Sequence, residues 1–118
     1  MSYANIVPLA LMEVIGDIGY KEFANKGGVR NFAMGSAGYV GVIYFLIRSL
    51  QGSQILVVNT AWDGISAIIE SMAAFFILGE RFDDPFKYVG VLFIIIGLFF
   101  LKIPLVGENK FTMPKLFT

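Results

Sequence analysis

Glu13 stands inside an apolar run, with Leu11, Met12, Val14 and Ile15 around it. Asp17 follows one helical turn later and Lys21 one turn after that, so the three share a face of any helix built there. A second apolar run carries Asp63 and Glu70, seven residues apart, with Asn59 a turn earlier, Ser66 in the same stripe and Trp62 beside Asp63. An ionised carboxylate at the centre of a membrane helix costs about 2.5–3.5 kcal/mol even on mild insertion scales, so an intramembrane acid reads as functional by default. Carboxylates facing Trp62, Tyr39 and Tyr44 suit an organic cation: the acid supplies charge and the ring faces supply cation–π attraction. The same acid can hold a proton instead. Competition between proton and cation is enough to couple export to a proton gradient.

Plainer roles compete for each residue. Asp17 can pair with Lys21 at a membrane edge, Glu70 can bond a neighbouring helix, and Trp62 can pack or anchor at an interface. The four acids could hold a divalent cation through oxygen donors, but their spacing fits no dedicated metal motif. A passive cation pathway lined by Glu13, Asp17, Asp63 and Glu70 is a further possibility of the same chemistry.

The elements that must position these residues follow from hydropathy. Of the 118 residues 57% are hydrophobic and 15% charged, against about 25% charged in soluble domains. The mean hydropathy is +0.74. The pattern predicts an all-α, polytopic membrane protein: a four-transmembrane-helix bundle with spans at 4–20, 32–47, 55–78 and 87–105. Residues 31–47 and 88–101 carry no charge, whereas the first and third spans hold the acids. Loops are expected at 21–30, 48–54 and 79–86, short enough to force up-and-down neighbours. Asp84 is placed to cap the fourth helix, with Pro85 at its first position. The membrane domain is expected to cover 1–106 and a polar tail 107–118. The N-terminus lacks a positive region and a clear cleavage site, so the first apolar segment is expected to remain in the mature chain.

Gly35, Gly38 and Gly41 in the second span, and Gly90 and Gly97 in the fourth, form small-residue surfaces suited to close helix approach. Arg48 ends the second span, where it can snorkel. Nine basic and nine acidic residues cancel, which gives no basic face for nucleic acid. With no histidine and no cysteine, imidazole and thiolate chemistry are excluded. No phosphate-binding loop, nucleophile elbow or metalloprotease helix is present, so neither an enzyme nor a cofactor is expected. If the termini share a side, Arg48, Lys102, Lys110 and Lys115 face Lys21, Lys26, Arg30, Arg81 and Lys87 across the membrane. That near balance gives the positive-inside rule little to act on, and a chain inserting both ways could pair with its own inverted copy.

Over about residues 4–105 the sequence resembles the small multidrug resistance transporters of the drug/metabolite transporter superfamily. The resemblance rests on Leu11-Met12-Glu13-Val14-Ile15-Gly16 with Lys21 eight residues after the glutamate, and on Ala61-Trp62-Asp63-Gly64. Tyr39, the stretch Gly79-Glu80-Arg81-Phe82-Asp83 with Pro85, and the pair Gly90 and Gly97 add to it. It implies an antiparallel homodimer in which Glu13 of each copy binds substrate and protons in turn, Trp62 and Tyr39 wall the pocket, and Gly90 and Gly97 meet the second copy. The chain departs from the family pattern where Asn59 stands for a tyrosine, Asp63 for a serine, and Asp17 and Glu70 add acids. Those changes suit a smaller, more polar or more highly charged cation. The expectation is therefore a multi-pass integral membrane exporter that exchanges small organic cations for protons at Glu13, Asp17, Tyr39, Asn59, Trp62, Asp63 and Glu70. The alternative is a non-transporting, structural or assembly subunit of a larger membrane complex, built on the same scaffold.

Overall fold

The computed structural model describes residues 3–103 and 112–117. Four helices follow in order: α1 (Tyr3–Lys26), α2 (Val29–Leu50), α3 (Ile55–Phe76) and α4 (Phe86–Leu101). Among the described residues there is no strand. The expected tail at 107–118 and the end of the fourth span fall largely outside them. Within the described part, the Thr112 N–H donates to Gln51 Oε1 at 3.2 Å, and Gln51 Nε2 donates to the Thr112 carbonyl.

The helices run past the apolar stretches that mark them. Lys21, Glu22 and Lys26 lie on the last turns of α1, and Arg30 on the first turn of α2, where a ten-residue loop was expected. Lysine and glutamate are good helix formers, so the hydrogen-bonded ladder continues after the hydropathy falls. The chain then reverses in two residues. Gly27 (φ 72°) and Gly28 (φ 99°) both take backbone conformations that favour glycine, and Asn31 Nδ2 donates to the Gly27 carbonyl at 3.0 Å. At α4 the first amide, Phe86 N–H, donates to Asp84 Oδ1 at 2.9 Å. Asp84 thus caps as expected, but Pro85 stands at the N-cap rather than at the first helical position. Asp84→Ala is expected to cost about 1 kcal/mol, read as a lower melting point of the purified protein.

Contacts link the helices as α2–α1–α3–α4, so α1 lies between the two helices that follow it, and α2 barely touches α3. The glycine surface of α2 is spent on α1. A Cβ built on Gly19 would come within 2.9 Å of the Gly35 Cα, and one on Gly38 would strike the Gly16 backbone. Ser49 Oγ near the end of α2 donates to the Asn5 carbonyl at 3.4 Å, and Tyr20 near the end of α1 reaches Ser36, so the pair is antiparallel. Against α3 the alignment is parallel, Glu13 beside Ser66. The apolar core gathers Ile6, Leu9, Val42, Val58 and Ala61 at one end of α1. The other end holds the acids.

Among the described residues, the rest of the apolar surface is exposed. In α4 only Leu98 is buried, against Gly64, while Phe86, Phe99 and Phe100 are more than three-quarters exposed. α2 and α3, of 22 residues each, are long and apolar enough to cross a membrane. α1 falls short of that standard, its polar residues lowering the hydropathy of every 18-residue stretch or adding charge, and α4 spans 16 residues.

Candidate functional site

The parallel contact of α1 with α3 places two pairs of residues level with one another. Glu13 meets Ser66, whose hydroxyl donates to Glu13 Oε1 at 2.9 Å. One turn further, Asp17 meets Glu70. One oxygen from each of Glu13, Asp17 and Glu70 lies within 4.8 Å of the others, and all three residues are half-buried. Helical spacing supplies the pairs within each helix. The convergence of the two helices depends on glycine, because α1 is fixed by the tight seam of Gly16 and Gly19 against Gly35 and Gly38.

α2 adds an aromatic flank. The Tyr39 hydroxyl donates to Asp17 Oδ1. The Tyr39 ring stacks on Tyr20, with centroids 5.6 Å apart and planes at 21°, and packs over Gly16, where a Cβ would come within 2.6 Å of it. The Tyr20 hydroxyl is itself bonded to Ser36 Oγ at 2.9 Å. Tyr20 therefore holds the ring that orients Asp17.

Trp62 packs half-buried on the apolar core, and its indole Nε1 is buried without a hydrogen-bond partner among the described residues. A donor withdrawn in this way costs about 1–3 kcal/mol. Asn59 and Asp63 lie on the flank of α3 that their spacing to Glu70 requires, but both are exposed and outside the three-carboxylate group. Among the described residues, a Cβ on Gly90 or Gly97 would meet nothing within 4 Å.

Lys21 does not turn back to Asp17. It forms an ion pair with Glu80, in the connection between α3 and α4. Asp17 takes the tyrosine hydroxyl instead, so the lysine is free to reach across to the neighbouring connection. A cavity of about 150 Å3 runs between these groups, lined by Asp17, Lys21, Glu70, Ala73, Leu78 and Glu80. A larger groove of about 510 Å3 opens on the other side of Glu70, between α3 and α4, with Phe75, Phe82 and Tyr88 on its wall.

Three carboxylates this close need counter-charge. A proton, an ammonium group or a hard metal ion can supply it, and each displaces the others. Sequence reasoning passed over Tyr20 and Glu80. The signal for Tyr20 was present in the small residues at 16, one turn before it, and 19, next to it, which admit a neighbouring helix. Glu80 had no such signal, since its partner lies 59 residues away.

No family model matches the chain, and no curated protein or solved structure matches it either.

Proposed function

We propose that this chain is a proton-coupled exchanger that exports small organic cations across a membrane, a divergent protein of the small multidrug resistance type. The observation that carries the reading is the convergence of Glu13, Asp17 and Glu70 within 4.8 Å, inside helices and beside an aromatic flank. Binding a cation there neutralises charge that a proton would otherwise neutralise, so each cation taken up releases a proton. The ring of Tyr39, beside Asp17, gives the site its preference for organic cations over hydrated inorganic ones, while Trp62 packs on the apolar core.

Several features support a four-span membrane bundle. At about 1.5 Å per residue, α2 and α3 reach about 33 Å, enough for a hydrocarbon core of about 30 Å. Only 22% and 17% of their most apolar windows are buried inside the chain, unlike the core helices of a water-soluble fold. The exposed phenylalanines of α4 face the same environment. Apart from Glu13, Asp17, Asp63 and Glu70, charge lies at the helix ends and in the connections, and the acids of α1 turn toward α2 and α3.

Gly90 and Gly97 support an antiparallel pair of chains. Their face of α4 is open and small, between large apolar side chains, which suits a helix from a second copy. The near-even division of basic residues, four against five, fits insertion in both directions.

Binding of a panel of organic cations to the purified protein across pH tests the reading. Affinity is expected to fall as pH falls, with protons released on binding. Absence of binding heat, together with co-purification of unrelated chains, would favour the structural-subunit reading instead.

A further inference from the structure

The cavity beside the acids has an inner and an outer end. Asp17 and Glu70 line the inner end, and Lys21 and Glu80 the outer one. Lys21 lies near the end of α1 and Glu80 in the connection that follows α3, so their ion pair ties two separate elements together across the mouth. The connection is held from behind. The Glu80 N–H donates to the Ala74 carbonyl at 3.0 Å. Arg81 donates to the carbonyls of Phe75 at 2.7 Å and Glu80 at 2.8 Å, with its guanidinium 3.5 Å over the Phe75 ring. The Glu80 backbone is thus fixed while its side chain meets Lys21 in the open, the two side chains being 47% and 46% exposed. Ion pairs with this much access to water are weakly held and re-form readily.

We infer that the Lys21–Glu80 pair is a gate on the three-carboxylate site. When formed, it spans the mouth of this cavity and narrows the way in from the aqueous face at this end of the helices. When it breaks, water and a small cation reach Asp17 and Glu70. Lys21 is well placed for this work, because it stands one turn beyond Asp17 and lines the same cavity. What the gate admits rests on the exchanger reading; that it opens and closes does not.

The chain has no cysteine, so a single Ala73→Cys in the cavity wall reports access without further changes. The labelling rate of that thiol by a small neutral maleimide, in a lipid bilayer, reads water at the site, because the thiolate is the reacting form. If the open state holds about a tenth of the population while the pair is intact, breaking the pair raises the rate about tenfold. Lys21→Gln and Glu80→Gln are each expected to do so. The exchanged pair, Lys21→Glu with Glu80→Lys, is expected to return the rate toward that of the parent. A purely electrostatic effect on the thiol would move the two single variants in opposite directions. Parent-like rates in both singles, opposite changes in them, or an exchanged pair as fast as the singles would overturn the gate. Leu78→Cys gives a second reporter in the same wall should Ala73→Cys fail to fold. Labelling that follows the pair, in a protein that releases no protons on cation binding, would sink the exchanger and leave the gate standing.

Discussion

Glu13→Gln protein in liposomes is expected to lose cation-driven proton release, with exchange slowed by about 100-fold or more, the scale of a lost proton-transfer group. The substitution is nearly isosteric. A glutamine carbonyl can still accept the Ser66 hydroxyl, which now bonds Glu13 Oε1 at 2.9 Å, so the α1–α3 contact persists and the melting point should hold. What disappears is one carboxyl group of three. With only Asp17 and Glu70 left, the counter-charge needed by the group falls, and a cation gains less by displacing a proton. The measurement is external pH on addition of substrate to loaded liposomes, beside the native chain at equal protein. Release at the native rate would remove Glu13 from the exchange, whatever the other two acids do.

The positions of the helices were legible because hydropathy and helical spacing are local properties. The runs around Glu13, Gly38, Asp63 and Ile94 each lie within a helix of the structure. The ends were less legible. Residues 21–26 and 29–30 are helical despite their charge, since hydropathy records where a helix is apolar and not where its hydrogen bonds stop. The pairing of Glu13 with Asp17 on one face could be read from spacing alone. That Glu70 would join them, and Asp63 would not, depends on where α1 crosses α3. That crossing is set by contacts far apart in sequence: Gly16 against Gly35, and Val58 against the apolar end of α1. The glycines of α2 announced a close approach without naming their partner. Lys21 likewise announced an ion pair, but the nearer acid was already engaged by Tyr39 from another helix.

Gly38→Leu is expected to be the most damaging single change outside the acids, because it wedges apart the seam on which the site is built. A Cβ at Gly38 alone would come within 2.6 Å of the Gly16 Cα and 2.8 Å of the Met12 carbonyl oxygen. Both are backbone atoms of α1, so no side-chain rotation relieves them. Overpacking of this kind costs about 1–3 kcal/mol and sometimes more. The better helix propensity of the new residue returns at most about 1 kcal/mol, so the balance is a loss even for Gly38→Ala and a larger one for leucine. Gly41 makes the useful contrast, since its neighbour is the flexible end of Met12 and can move aside. At Gly90 none of the described residues lies within 4 Å of an added Cβ, so there alanine should hold or raise the melting point of a single copy. Thermal unfolding of the three alanine variants should therefore rank Gly38 lowest and Gly90 highest, with Gly41 between. Because α1 carries Glu13 and Asp17 toward Ser66 and Glu70, the same wedge at Gly38 should weaken cation binding as it lowers stability. Binding that survives intact in a destabilised Gly38→Leu protein would show that the acids converge without the glycine seam.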